Sequence, residues 1–488
     1  MLFHSQTFIL AFLPLCLIGF CLVGRWLGRR WALGWLIAAS LVFHGWWNPL
    51  HTVLLLASIG ANHRVGLRIH RLTLAGSQAS ARRWLAAGVA GNLAVLGWFK
   101  YADFLLGMMA PDAPSLGVAL PLAISFFTFQ QIMFLADCRS GAPSAPALLP
   151  YAAFVTFFPH LIAGPLVRPR DIIPQLTAPG LAALRGENLS AGVAIFLLGL
   201  AKKLVLADLF GGFADTGFDA AARGETLTLL EAWPATLSYA LQIYFDFSAY
   251  SDMATGLARM IGVRFPLNFD SPYQARNIAD FWRRWHVTLS SFLRDHVYIP
   301  LGGNRYGAAR QASNLMLTMV LAGLWHGAGW RFVFWGALHG AMLLGHMLHR
   351  RMGRPLPHPI GQALTLSGVV LAWVPFRATG MDAAWAMTRG LAGLNGLAMP
   401  AMIVSAFPVL NRVSTPVPVL LFLGDARTLS LPEVSACLIL GWFIVLALPH
   451  AQALSERARG WALTASFALT AQALFFAQNV APFLYFQF

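Results

Sequence analysis

Apolar runs of near-bilayer length recur from one end of the chain to the other, separated by short polar loops in which arginine is frequent. A helix needs about 20 apolar residues to cross the hydrocarbon core. On that basis the pattern predicts spans at residues 7–24, 84–99, 116–135, 148–167, 190–210, 232–251, 312–325, 332–349, 363–376, 436–449 and 461–482. Between two basic loops, 25–30 (RWLGRR) and 62–83 (NHRVGLRIHRLTLAGSQASARR), the chain is long enough for a helical hairpin with Asn48-Pro49 as its turn. The predicted fold is all-α: a polytopic membrane helical bundle of about 10–13 spans with interfacial amphipathic helices.

Several of these runs are interrupted, as in FFPHLIAGPLVRP (157–169) and ALPLAISFFTFQQ (119–131). Breaks at membrane depth persist only where the freed backbone groups are buried in protein or line a cavity. They therefore predict either a funnel through the bundle or ordinary kinks. Residues 377–435 are weakly patterned and carry Pro400, Pro408, Pro416, Pro418 and Pro432, which reads as an interfacial excursion. The first run has no basic region before it and no small-residue cleavage site after it, so it reads as a retained span rather than a signal peptide.

Composition narrows the class. Of the 488 residues 58% are hydrophobic and only 11% charged, where an ordinary soluble domain has about 25%. A single membrane domain over 1–488 is the simplest organisation. The net charge of +15 comes from arginines in short loops, with Lys100, Lys202 and Lys203 the only lysines. That is the positive-inside pattern, which puts both basic loops in the cytoplasm and the N-terminus outside. It is not the single basic face of a nucleic-acid binder. Cys16, Cys21, Cys138 and Cys437 lie in or beside apolar segments without a C-x-x-C pair, so neither a disulfide framework nor a zinc site is expected.

Three stretches carry candidate chemistry. Residues 276–310, RNIADFWRRWHVTLSSFLRDHVYIPLGGNRYGAAR, mix six arginines with aromatic residues, the pattern of an element lying in the headgroup plane. Its guanidinium groups also suit an anionic ligand, and His286 sits in its middle. In GLWHGAGW (323–330), His326 lies about 21 Å of helix beyond Ala312. Desolvation at that depth favours a neutral ring able to take a proton. Gly323, Gly327 and Gly329 leave room there for a substrate or another backbone. His339, His346 and His349 follow at seven- and three-residue spacing but lack carboxylate company, so no metal site is expected. Finally, LQIYFDFSAYSDMATGLARM (241–260) places Asp246, Asp252 and Arg259 in an apolar setting, where charges are costly and are usually paired.

Together the words QIYFDFSAYSDMATGLARMIG, DFWRRWHVTLSSFLRDHVYIPLGGNRYG, NLMLTMVLAGLWHGAGWRFVFWGALHG and the terminal FLYFQF resemble the membrane-bound O-acyltransferase family, in particular its bacterial alginate O-acetyltransferase branch. LGWFKYADF, LPLAISFFTFQ, FFPHLIAGPLVRPRDIIPQL and GLAKKLVLADLF support it. The likeness covers a core at residues 2–376 and resumes in the C-terminal spans of 436–488. At position 160 this chain has His where the branch often has Gln.

The resemblance implies a bundle around a central cavity, with the family's catalytic histidine on His326 and its second histidine on His286. It implies no bound cofactor. The donor would be a thioester, acetyl-CoA or an acylated carrier, met at the cytoplasmic face by Arg283, Arg284, Arg294 and Asn304. Expected partners are an extracytoplasmic acetyltransferase and polysaccharide export machinery in the bacterial inner membrane, where the chain would be multi-pass. The implied product is an O-acetylated exopolysaccharide such as alginate. Two rivals stand beside this: D-alanyl transfer to teichoic acid, and a translocator without chemistry.

Overall fold

The computed structural model describes residues 1–140, 147–183, 185–353, 356–400, 415–417, 431–453, 467 and 483–484. Among these, helices dominate, and two three-residue strands, Ala398–Pro400 and Thr415–Val417, pair in parallel with Ala398 opposite Thr415. Two compact units emerge. The first takes the described residues of Met1–Leu200 and Tyr250–Leu267; the second takes those of Ala201–Ala249 and Asn268–Ser455, with Phe483 and Leu484. The predicted span 461–482 lies outside the described residues, Phe467 apart.

In the first unit the predicted hairpin forms. Helix Arg29–Gly45 is followed by Asn48, whose side chain accepts from the Leu50 N–H at 2.9 Å and starts helix Pro49–Leu74. Proline at the first helical position has no N–H to lose there, so the Asn-Pro pair is a start signal as well as a turn. The basic loop expected at 62–83 is mostly helix instead. Helix Pro49–Leu74 runs straight through it and Gln78–Leu96 begins three residues after Ala75. The reason is amphipathic spacing: Arg64, Arg68 and Arg71 face outward, while Asn62, Gly66 and Ile69 turn inward. There the Asn62 and Asn92 amides bond reciprocally at 3.2 and 2.7 Å, and Gly66 leaves room for the Phe134 ring.

The two interrupted runs are also rebuilt. The run predicted at 116–135 becomes helical only from Ile124, because Pro121 and the left-handed Ala123 (φ 66°) precede it. In 148–167 helix Leu148–Thr156 gives way to the short turn Phe158–Leu161 and then to irregular backbone, and residues 157–167 are all buried. Burial in protein is one of the two conditions that tolerate such a break. His160 lies within it, bonded through Nδ1 to Gln130 at 2.8 Å and ringed by Phe154, Phe157 and Phe265.

The second unit is built around a continuous aromatic core that includes Tyr239, Phe245, Phe281, Trp335 and Trp373. Its buried charge is concentrated at one point. Lys203, on the widened π-type turn Lys202–Ala207, donates to Asp208 at 2.8 Å and pairs with Asp246 at 2.8 Å. The second carboxylate oxygen of Asp246 accepts from the Leu484 N–H at 2.9 Å, and the Phe483 ring sits 5.0 Å from the ammonium. One lysine thus gathers a turn, the long helix Leu229–Ile261 and two C-terminal residues. In the excursion expected at 377–435, the described part includes helix Met381–Leu391, which follows helix His358–Arg377; at the end of the latter, Arg377 pairs with Asp215 of helix Asp208–Ala222 at 2.5 Å.

Apolar side chains also line the outside. Leu15, Ile18 and Leu22 are exposed along one face of Thr7–Trp26, as are Ile360, Leu364 and Leu371 on His358–Arg377. By length and composition these two helices are long and apolar enough to cross a bilayer, and Val434–Ala447 is a shorter apolar helix. Contiguous exposed apolar stripes of this kind mark surfaces that meet something other than water.

Removing one partner of a buried ion pair costs about 3–5 kcal/mol. Lys203→Met should accordingly lower the thermal unfolding midpoint in detergent, and adding Asp208→Asn and Asp246→Asn should recover part of the loss. An unchanged midpoint in Lys203→Met would show that the cluster holds nothing together.

Candidate active site

Helix Gly307–His326 ends at the candidate histidine, and after three residues of extended or turning backbone helix Trp330–Arg351 starts back alongside it. The two helices approach through glycine. A Cβ on Gly323 would lie 2.1 Å from the Phe332 carbonyl oxygen, and one on Gly336 would lie 2.3 Å from that of Met319. A Cβ on Gly327 would enter the Phe332 ring, whereas Gly329 has neighbours only at 4.0 Å. Of the three glycines around His326, the first serves backbone approach, the second ring packing, and only the third leaves space.

The contact aims His326 into an aromatic wall. Its ring is nearly buried, at 7% exposure, and stands edge-on to Trp325, Trp335 and Phe376 at 4.9, 5.2 and 5.2 Å between centroids. Phe376 is held in place by Arg331, whose Nη1 donates to the Phe376 carbonyl at 3.2 Å and to that of Ala378. A guanidinium on the last carbonyls of a helix satisfies groups that have no intrahelical partner and meets the negative end of the dipole.

His286 breaks the arginine-rich element. The interfacial helix expected there is two short helices, Ile278–Arg284 and Val287–Leu293, with His286 between them at φ 43°, ψ 55°. A non-glycine residue in the left-handed region is held there by its surroundings. Asn268 does the holding: its carbonyl accepts from the Val287 N–H at 3.0 Å, and its Oδ1 accepts from the Thr288 N–H at 3.3 Å and the Thr288 hydroxyl at 2.8 Å. Because a backbone N–H donates to that side-chain atom, it is the amide oxygen. His286 Nδ1, 3.1 Å away, must then carry a proton, and Nε2 carries the lone pair. That Nε2 is buried with no hydrogen-bond partner among the described residues. Burial holds the ring's pKa down to about 3, so the neutral form prevails.

Forty residues apart in sequence, the two histidines share one neighbour. Trp325 lies 4.9 Å from His326 and 6.3 Å from His286. Phe247 and Phe269 close the other side of His286 at 4.7 and 6.2 Å. The four donor-side residues are distributed differently. Arg284 bonds Asp280 at 3.2 Å and approaches Asp270 at 3.7 Å, and Arg294 bonds Asp295 at 2.7 Å. Asn304 is exposed in the turn before helix Gly307–His326, and Arg283, 72% exposed, lines a separate basic cavity. His339 is enclosed by Trp282 and Trp335 at 5.1 and 4.7 Å, whereas His346 and His349 line that same cavity. Among the described residues no three His, Cys, Asp or Glu side chains converge as metal ligands would.

Sequence reasoning did not find Asn268, Trp325 or Phe376 as parts of this site. Asn268, in PLNFDSPY, has no local signal that separates it from an ordinary turn residue.

An imidazole in a dry aromatic wall, near a second imidazole with an unused lone pair, suits proton transfer to or from a hydroxyl. Comparison with known proteins agrees in class. The sequence profile of the membrane-bound O-acyltransferase family matches residues 118–379, and the chain belongs to that family. It is 40% identical over 448 residues to the peptidoglycan O-acetyltransferase of Helicobacter pylori, covering 85% of this chain and 84% of the relative. It is also 40% identical over 401 residues to the probable alginate O-acetylase AlgI of Pseudomonas aeruginosa, covering 80% and 75%. More distant is the teichoic acid D-alanyltransferase of Streptococcus thermophilus, 29% identical over 232 residues, or 46% of this chain and 56% of that protein. The chain is an O-acyltransferase.

Asn268→Ala should lower acyl transfer about tenfold or more, the rate equivalent of one lost buried hydrogen bond to a positioned group. Asn268→Asp keeps an acceptor oxygen on Nδ1 but adds a carboxylate that favours the charged ring, so it should recover part of the rate with a shifted pH profile. Full activity in the alanine variant would detach His286's orientation from catalysis.

Proposed function

We propose that this chain moves an acetyl group from a cytoplasmic thioester, acetyl-CoA or an acylated carrier, across the inner membrane for O-acetylation of a polysaccharide outside. The observation that carries this reading is that His326 and His286, forty residues apart, both lie against Trp325 in a wall of aromatic rings. In the proposed reaction His326 takes the proton of an acceptor hydroxyl as its oxygen attacks the thioester carbonyl. The tetrahedral intermediate then collapses with cleavage of the C–S bond, and the departing sulfur receives that proton from the imidazolium. His286 offers a lone pair at Nε2, which suits it to hold an O–H or amide N–H of a substrate in register. Polarising a carbonyl would need a proton on that atom.

Supply and delivery follow from the same reading. The arginine-rich element 276–310 provides a cationic surface for an anionic donor on the cytoplasmic side. Access to His326 runs through a central cavity of a multi-pass bundle, and the exposed apolar stripes support a lipid-facing exterior for it. The acetyl group passes to a sugar hydroxyl directly, or to a serine of an extracytoplasmic acetyltransferase working with export machinery. For the acceptor we favour an exopolysaccharide of the alginate kind. Peptidoglycan is a second reading, favoured by the relative of that name at 40% identity over most of both chains. The alignment with the D-alanyltransferase covers under half of this chain, which places that reading behind both.

His326→Ala should reduce ester acetyl by the 10²–10⁴-fold that a general base typically contributes. NMR of the exported polysaccharide and mass spectrometry of peptidoglycan fragments, on cells with and without the variant, identify the acceptor. Undiminished acetyl on both polymers, with the protein present in the membrane, would end the proposal.

A further inference from the structure

A cavity of ≈ 920 Å³ in the unit that holds His326 lies between the end of helix Trp330–Arg351, the start of helix His358–Arg377 and residues 276–283. Its position depends on Gly361: a Cβ there would lie 2.5 Å from the Arg276 carbonyl oxygen, so this glycine seats the helix directly on that residue. Gln362 strengthens the seat by donating to the Tyr273 carbonyl at 3.2 Å.

The cavity is cationic at one side. Arg276, Arg283 and Arg350 line it with His346, His349 and His358, and no carboxylate is among its described lining residues. Asp280, outside the lining, pairs with Arg284 at 3.2 Å, accepts from the Arg276 backbone N–H at 3.1 Å and lies 3.6 Å from Arg283, so it offsets part of the charge of Arg283. Helix His358–Arg377 adds its positive end, since its N-cap is Pro357, with no side-chain cap, and its second residue is Pro359. Uncapped N–H groups at a helix start favour an anion. His349 Nε2, also in the lining, is buried without a hydrogen-bond partner among the described residues.

The other side is apolar and open. Leu364 lines the cavity at 61% exposure and belongs to the outward stripe Ile360, Leu364 and Leu371, on one of the two helices apolar enough to cross a bilayer. A soluble phosphate would meet the arginines and leave this stripe in water. A molecule with a phosphodiester head and an alkyl chain satisfies both. Basic pockets between membrane helices bind anionic headgroups for the same reason.

We infer that this cavity binds an anionic phospholipid, its headgroup phosphate on Arg276, Arg283 and Arg350 and an acyl chain along Ile360, Leu364 and Leu371. The inference rests on the chain being membrane-bound, as its family is, and not on the acetyl chemistry proposed above. The lipid would fix the junction from which helix His358–Arg377 returns toward His326.

The test is native mass spectrometry of the full chain after exchange into vesicles of phosphatidylglycerol or of phosphatidylcholine. Wild type should retain phosphatidylglycerol and not phosphatidylcholine. Arg276→Gln/Arg350→Gln should weaken that retention about 30-fold, taking roughly 1 kcal/mol per arginine at a lipid surface. Arg305→Gln/Arg310→Gln, which removes the same charge from exposed positions outside the cavity, should leave it unchanged. Equal losses in the two double variants would reduce the effect to general surface charge and overturn the site. Displacement of the lipid by an equal concentration of inorganic phosphate would overturn the lipid and assign the cavity to a free phosphate.

Discussion

The close approach of two helices through Gly323 and Gly336 is the constraint on which the rest of the site depends. Side chains at either position would force the helices apart, and with them the Trp325, Trp335 and Phe376 rings around His326. Trp325 precedes the histidine on the first helix, Trp335 faces it from the second, and Arg331 ties Phe376 in from a third. In an apolar setting, close backbone packing replaces the hydrophobic drive that water would supply. Glycine here is therefore a precondition of the aromatic wall around His326, although it contributes no side chain to that wall.

In the sequence His326 stands out as an ionisable ring between glycines in an apolar run, whereas its candidate role, and that of His286, comes from the family resemblance. The Asn48-Pro49 start was legible, because its chemistry is complete within three residues. What failed was any inference that treated charge as a loop signal. Arg64, Arg68 and Arg71 sit on one face of a helix whose opposite face buries Asn62, Gly66 and Ile69. A run-length criterion averages the two faces and discards the period that would have identified the helix. The arginine-rich element misled in the other direction. Its spacing suits one interfacial helix, but the bonds from Asn268 hold His286 in a conformation that a helix does not contain.

Asn268 also explains why pairing across the chain could not be read locally. Its side chain acts on residues eighteen and twenty positions later, and neither partner has a residue type that demands it. The same holds for Lys203. The expectation that buried aspartates in 241–260 would be paired is met for Asp246, but the cation comes from a different helix and a further bond from the backbone of Leu484. Sequence gives the cost of such groups, and only tertiary structure gives the partner that offsets it.

Three cations of the second unit away from its basic cavity are held in two ways: against carboxylates, as at Lys203 and Arg377, or against the carbonyls of a helix end, as at Arg331. Both arrangements neutralise a cation where it stands. The consequence for the histidines is electrostatic, because an unneutralised guanidinium beside an imidazole would oppose its protonation, and a carboxylate beside it would hold it charged before any substrate arrived. Arg331 comes within one aromatic ring of His326, through Phe376, yet its field is directed into the Phe376 and Ala378 carbonyls. The contact that satisfies Arg331 therefore also fixes the Phe376 ring against His326, so that neutralising the cation and packing the candidate site are one arrangement.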